Sequence, residues 1–279
     1  KTMKKLYTLF LLLGLMFPTL QLSAQEEASE LPKAERTSLL TVDFSAKIKS
    51  RHVWYGWLSC NSWNVQPNLT VSAYGAFFNA WAYTALDHTL SSEIDLTLGY
   101  TLGPVSLMYI DMFYPTENKK DALPHTVGTS GYMRFFRYNK EDDGAIHQQM
   151  ALLQFNGVRQ FPIECTVGVF TYGDPLYRTE QDPITGKETA VRDKYEAFST
   201  IVNFGYSHSL KSGQKLTYEL GFTPFKGSGF FADGPNVVNV KLGVTQPIRV
   251  TEKFSLRLDG ELILNPYREN LYFVVALGF

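Results

Sequence analysis

Five histidines, His52, His88, His125, His147 and His208, are the side chains best suited to move a proton near neutral pH. Such a base acts only when a hydroxyl or thiol nucleophile lies within hydrogen-bond reach and a third group orients the ring. The sequence supplies no GxSxG elbow. His52 and His88 have Asp87, Ser91 and Ser92 near them in sequence, but isolated loop histidines are more often solvated than catalytic. His208-Ser209 falls in a short turn, away from the long loops. The run Glu141-Asp142-Asp143 lacks the alternating ligand spacing of a calcium loop. Cys60 and Cys165 form no CxxC or Cys/His cluster, and the geometry a disulfide demands makes a bridge between them improbable. We therefore expect no catalytic residues, no metal site, no cofactor and no enzyme.

The more informative charges share one parity. Asp43, Lys47, Lys49, Glu93, Asp95, Glu164, Glu219, Lys241, Arg257, Asp259 and Glu261 all alternate with apolar neighbours, and they comprise four cations against seven anions. If they line one lumen, the excess acid raises the local cation concentration and predicts a weak cation preference. The competing reading is that facing charges pair and fill a narrow bore, as side chains do in small barrels.

Strands position these residues. Leu40, Val42, Phe44, Ala46 and Ile48 alternate with Thr41, Asp43, Ser45, Lys47 and Lys49, the period of a strand with one greasy and one wet face. The same pattern recurs at 65–73, 94–100, 163–169, 198–207, 216–223, 238–245, 254–262 and 271–279. Less regular stretches lie at 77–85, 105–114 and 146–155; in the last, Gln148 and Gln154 share a face with Met150 and Leu152. The total is about twelve strands, each near the ~9–11 residues that cross a bilayer. Connections segregate by parity. Those at 75–76, 102–104, 156–162, 208–214 and 245–253 are short, whereas 51–63, 86–92, 115–144, 173–197, 224–236 and 265–270 are mostly longer. Short inner turns and long outer loops are the habit of outer-membrane barrels. Trp54, Tyr55, Trp57 and Trp63, with tyrosines near strand ends, fit interfacial girdles or an aromatic mouth for sugars. Phe279, on the greasy parity of the final strand, fits a signal for the barrel assembly machinery.

Residues 1–24 read as an export signal: Lys4 and Lys5, an apolar run over 6–17, then Leu22-Ser23-Ala24 before polar residues. Residues 25–38 read as a periplasmic lead-in, and 39–279 as the barrel. Charged residues are 19% and aromatics 14% of 279 residues, with a formal charge of −1. That composition excludes a disordered chain and a nucleic-acid binder driven by bulk positive charge.

Ser50-Arg51-His52-Val53-Trp54-Tyr55-Gly56 resembles a signature of an outer-membrane porin family, especially of Bacteroidetes-type bacteria, which tends to read Ser-Arg-Tyr-Val-Trp-Arg-Gly after the first strand. Gln66-Pro67, Ala80-Trp81, Glu93-Ile94-Asp95 and Asn265-Pro266 echo it further along. The chain departs at His52, where the family has an aromatic, and at Tyr55, where it has Arg. The resemblance implies location and fold more firmly than transport. The expectation is an all-β, closed antiparallel transmembrane β-barrel in a Gram-negative outer membrane. It would be monomeric, in contact with membrane lipids and passing small solutes, with a surface-binding or structural barrel of occluded lumen, and then a hydrolase, as the alternatives.

Overall fold

The computed structural model describes residues 40–87, 91–115, 135, 136, 138, 146–181, 188–225, 230–252 and 254–279. The expected signal and lead-in, His88, His125 and the run Glu141-Asp142-Asp143 lie outside them. The described residues form β1 (Thr41–Lys49), β2 (His52–Trp54), β3 (Trp57–Cys60), β4 (Asn64–Ala73), β5 (Ala76–Ala85), β6 (Ser92–Leu102), β7 (Val105–Tyr114), β8 (Ile146–Phe155), β9 (Ile163–Tyr172), β10 (Pro175–Gln181), β11 (Glu188–Glu196), β12 (Thr200–Ser209), β13 (Lys215–Thr223), β14 (Asn236–Arg249), β15 (Ser255–Asn265) and β16 (Asn270–Gly278).

Twelve of these close into one antiparallel barrel in the order β1-β16-β15-β14-β13-β12-β9-β8-β7-β6-β5-β4, with β4 returning to β1. The remaining four make two separate hairpins, β2–β3 and β10–β11. Twelve strands about 4.8 Å apart and tilted about 40° enclose a backbone ring roughly 24 Å across. The seam pairs Lys47, Ile48 and Lys49 with Gly278, Leu277 and Ala276. Phe279 completes it, donating to the Ala46 carbonyl at 3.0 Å and accepting from the Ala46 N–H at 2.9 Å.

Period-two sequence produces this wall because each strand separates its neighbours onto two faces. Every barrel strand except β9 carries a large exposed apolar residue, among them Phe44, Leu69, Phe78, Leu98, Leu107, Leu153, Phe204, Leu220, Leu242, Leu258 and Phe273. Tight turns sit at one end. Between β4 and β5, Tyr74 and Gly75 both have positive φ, 53° and 84°, the type I′ geometry that matches strand twist.

Two boundaries differ from the pattern reading. β14 continues through Pro247, opposite Arg257, to Arg249, so the turn expected over 245–253 is shorter. β12 starts at Thr200 because Phe198 takes a φ of 52° and leaves the extended region.

Candidate functional site: the barrel lumen and its folded-in hairpin

After Lys49 the chain leaves the wall and turns into the bore. Tyr55 and Gly56, at φ 44° and 76°, make a second type I′ turn, which pairs Trp54 with Trp57 and builds the β2–β3 hairpin. Its side chains reach walls on several sides. Val53 packs on Ile263 of β15 and Val274 of β16. The His52 ring lies 4.9 Å from Trp81 and 5.2 Å from Tyr83, both on β5. Trp54 lies 6.3 Å from Phe170 on β9, the strand farthest round the ring from β1, and 5.7 Å from Phe231. Cys60 is buried against Tyr83 and Ala85. At the tip, Asn265 Nδ2 donates to the Gly56 carbonyl at 3.1 Å. A Cβ on Gly56 would fall 1.9 Å from the Val238 carbonyl oxygen.

Burial sets the electrostatics of the hairpin. Loss of water, helped by nearby Lys49 and opposed by Glu261, pushes His52 down to about 3, so its imidazole is neutral. Burial first, then the Glu219 charge, lifts the Tyr55 hydroxyl to about 12.

The hairpin rests on an apolar inner wall that alternation alone did not anticipate. Met112, Met150, Leu152, Phe170, Ile201, Phe231, Ala232 and Val238 form one buried cluster, flanked by Trp54, Tyr55, Met108, Ile110 and Tyr114. Val238 falls on the greasy outer parity of its sequence pattern, yet it is fully buried in this cluster. The cause is a register shift at Gly221/Phe222, where Gly221 opposes Asn239 and Phe222 opposes Val237, leaving Val238 unpaired. Trp54, Tyr55 and Trp57 are likewise not girdle residues. Trp57 lies 5.1 Å from Phe230 and under the Arg268 guanidinium at 4.3 Å. Trp63, Tyr100, Tyr109 and Tyr206 do stand exposed on the outside.

Seven of the eleven charges singled out in the sequence meet in one network on the β13–β1 side. Lys49 pairs with Glu261 at 2.9 Å, Lys47 with Asp259 at 3.8 Å, and Arg257 with Asp259 at 3.5 Å. Lys241 bridges Glu219 and Glu261. Thr245 donates to Asp259 at 2.7 Å, and Asn239 donates to Asn203 and Glu219 at 3.0 and 3.1 Å. The Arg257 and Lys47 side chains both lie beside Gly278, where a Cβ would meet each at an ordinary contact distance of 3.6 Å. A 200 Å³ cavity opens among Lys47, Lys241, Arg257, Asp259 and Glu261. Four cations therefore face three anions here.

The other four acids lie elsewhere. Asp43 is exposed on β1, and Glu164 lies across Gly205. Glu93 and Asp95 sit together on β6, with Glu93 4% exposed; among the described residues, Glu93 Oε2 and Asp95 Oδ1 find no hydrogen-bond partner. Among the described residues, no three His, Cys, Asp or Glu side chains converge as metal ligands. Cys60 and Cys165 are both free.

One polar pair escaped sequence reading. His147 Nδ1 lies 2.9 Å from Asp111 Oδ1, with the ring stacked 4.1 Å from Tyr138 and tilted against Phe113 at 4.8 Å. Adjacent-strand register brings the two together across 36 residues, which no local motif could signal. His208, by contrast, lies flat beside Tyr218, with centroids 6.0 Å apart. Among the described residues no helix is long and apolar enough to cross a membrane. Comparison with protein-family models and with curated proteins finds no match to this chain.

Proposed function

We propose that the protein is an outer-membrane barrel of the porin-like kind, in which the β2–β3 hairpin is the gate for small solutes. The observation that carries this reading is the closed ring of strands with greasy side chains exposed on its outer face. Soluble monomers hold their largest apolar patch to roughly 300–600 Å², an area that about five exposed Leu or Phe side chains already reach. Lipid tolerates such a surface, but only on a sheet without free edges. Tight turns at one end and long connections at the other support an orientation with the short turns in the periplasm. The family resemblance supports the same reading, since its signature residues His52, Val53 and Gly56 turn inward and seat the hairpin.

Passage is the finer part of the proposal. With the hairpin seated, apolar packing occupies the bore between β9 and β15–β16. Solutes then pass along the polar β13–β1 side when the hairpin lifts. Cell fractionation tests the location: the protein should require detergent for extraction from outer membranes, and recovery in the aqueous fraction overturns it. Planar-bilayer recording tests the gate: brief openings are expected, without the cation preference that the sequence count suggested, because four cations face three anions along this path. The second reading, a surface-binding or structural barrel with a permanently closed lumen, is favoured by the apolar anchoring of the hairpin on several walls. Complete silence of the wild type and of hairpin variants decides for it.

A further inference from the structure

The departure of the chain at Lys49 leaves the wall incomplete on one side. β15 pairs with β16 from Asn270 to Gly278, whereas β1 pairs only with Ala276, Leu277 and Gly278. Above that point, among the described residues, no strand pairs with residues 270–275 of β16 on their β1 side. Side chains and one backbone group seal this edge instead. The Ser50 N–H donates to the Val275 carbonyl at 2.8 Å, and the Val275 N–H donates to Ser50 Oγ at 3.0 Å. Arg51 Nη1 donates to the Phe273 carbonyl at 3.0 Å, while its Nε donates to Asn61 Oδ1 at 2.8 Å.

The notch is a cleft of about 540 Å³, open to the outside and lined by Ser50, Arg51, Asn61, Ser62, Trp63, Phe273 and Val275. Its chemistry is two-sided. Phe273 and Trp63 are 62% and 54% exposed, and with Val275 they offer apolar surface on the face that the proposed function turns to lipid. Arg51 supplies a cation at the rim. Two of its five N–H donors are used among the described residues, and no described carboxylate pairs with it. A guanidinium with spare donors suits a planar fork onto a phosphate, whereas a bulk apolar chain suits the floor.

We propose that this notch binds an anionic membrane lipid with a phosphate headgroup, with Arg51 on the phosphate and Phe273, Val275 and Trp63 against the acyl chain. The lipid completes the wall where β1 is missing, so the site deepens the proposed function and rests on its membrane orientation. The volume fits a headgroup with the first part of a chain rather than a whole lipid, the remainder lying in the bilayer.

The test is calorimetric titration of the detergent-purified full chain with dihexanoyl phosphatidic acid, dihexanoyl phosphatidylcholine and inorganic phosphate. Binding of the first is expected, weaker binding of the second, and none of the third. Arg51→Gln should weaken phosphatidic acid binding about tenfold or more, the worth of a charge-assisted hydrogen bond. Val275→Trp, which fills the cleft and leaves Arg51 in place, should abolish binding and serves if Arg51→Gln does not fold; heat-modifiable migration on gels reports folding for both. Equal affinity for the two lipids, saturable binding of phosphate alone, or full retention in Val275→Trp overturns the proposal. Fractionation separates the two failures: a protein that needs detergent but ignores phosphatidic acid refutes the notch alone, and a water-soluble protein refutes the membrane reading itself.

Discussion

Gly56→Ala tests whether the hairpin is held by the geometry described above. Two costs add. Gly56 sits at φ 76°, a region that costs an L-residue roughly 1–2 kcal/mol. The new Cβ would meet the Val238 carbonyl oxygen at 1.9 Å, and because that atom is backbone, relief requires the hairpin tip to withdraw. Overpacking of this kind costs about 1–3 kcal/mol. Withdrawal breaks the 3.1 Å bond from Asn265 to the Gly56 carbonyl, a loss that unseating carries in the wild type as well. The sum of the two costs, roughly 2–5 kcal/mol, moves the seated-to-unseated ratio about thirtyfold or further. The barrel strands do not depend on this contact, so heat-modifiable migration should persist. Planar-bilayer recording should show larger and longer openings than wild type, and protease should cut within residues 51–63 of reconstituted protein. A variant with wild-type conductance and an equally protected hairpin would refute the claim that this contact seats the gate.

Three further outcomes follow from other parts of the barrel. Leu98→Arg places a cation on an outer-face position that is 66% exposed and should destabilise vesicle-reconstituted protein by about 2–4 kcal/mol near the bilayer midplane; urea unfolding measures this, and an unchanged midpoint contradicts a lipid-facing Leu98. Lys241→Met removes the cation from Glu219, about a fifth exposed, while Glu261 keeps Lys49, and should cost about 2–3 kcal/mol in the same urea unfolding, below the 3–5 of a fully buried pair. His52 is neutral when seated because burial holds its pKa down to about 3 from 6.5. The unseated hairpin takes up a proton below pH 6.5 and the seated one does not, so seating weakens as pH falls from 6.5 toward 3, by at most about 1.4 kcal/mol per pH unit. Openings should rise over that window in wild type and stay flat in His52→Gln; a flat wild-type profile counts against a buried His52.

The wall was legible because alternation is a strong local signal and was repeated along the chain. The outer row of Leu98 and Tyr100 on β6, and the short and long ends, both follow from sequence spacing. The interior was legible only where it is polar. Lys49 and Glu261, or Lys241 and Glu219, stand on the wet parity and meet across neighbouring strands. Where the inner face is itself apolar, at Met108, Ile110 and Ile201, period two loses its contrast, and the bulge at Val238 reverses a face outright. The β2–β3 hairpin escaped notice for a different reason: its turn is Tyr55-Gly56 rather than the usual Asn-Gly, and its flanking strands are only three and four residues long. Its direction, into the bore rather than outward, depends on partners such as Phe170 and Val274 far along the chain.

That separation bears on the order of assembly. The hairpin arises early in the chain, but its seat is made of Ile263, Asn265 and Val274, and Arg51 reaches a carbonyl 222 residues away. Contacts this distant in sequence form slowly, because closing so long a loop must precede any gain from it. Until the last strands arrive, the three rings of Trp54, Tyr55 and Trp57 wait without the partners that later cover them, adhesive and unshielded. A chaperone that sequesters this stretch before the barrel closes would therefore act at the step where the unfinished molecule exposes most apolar surface.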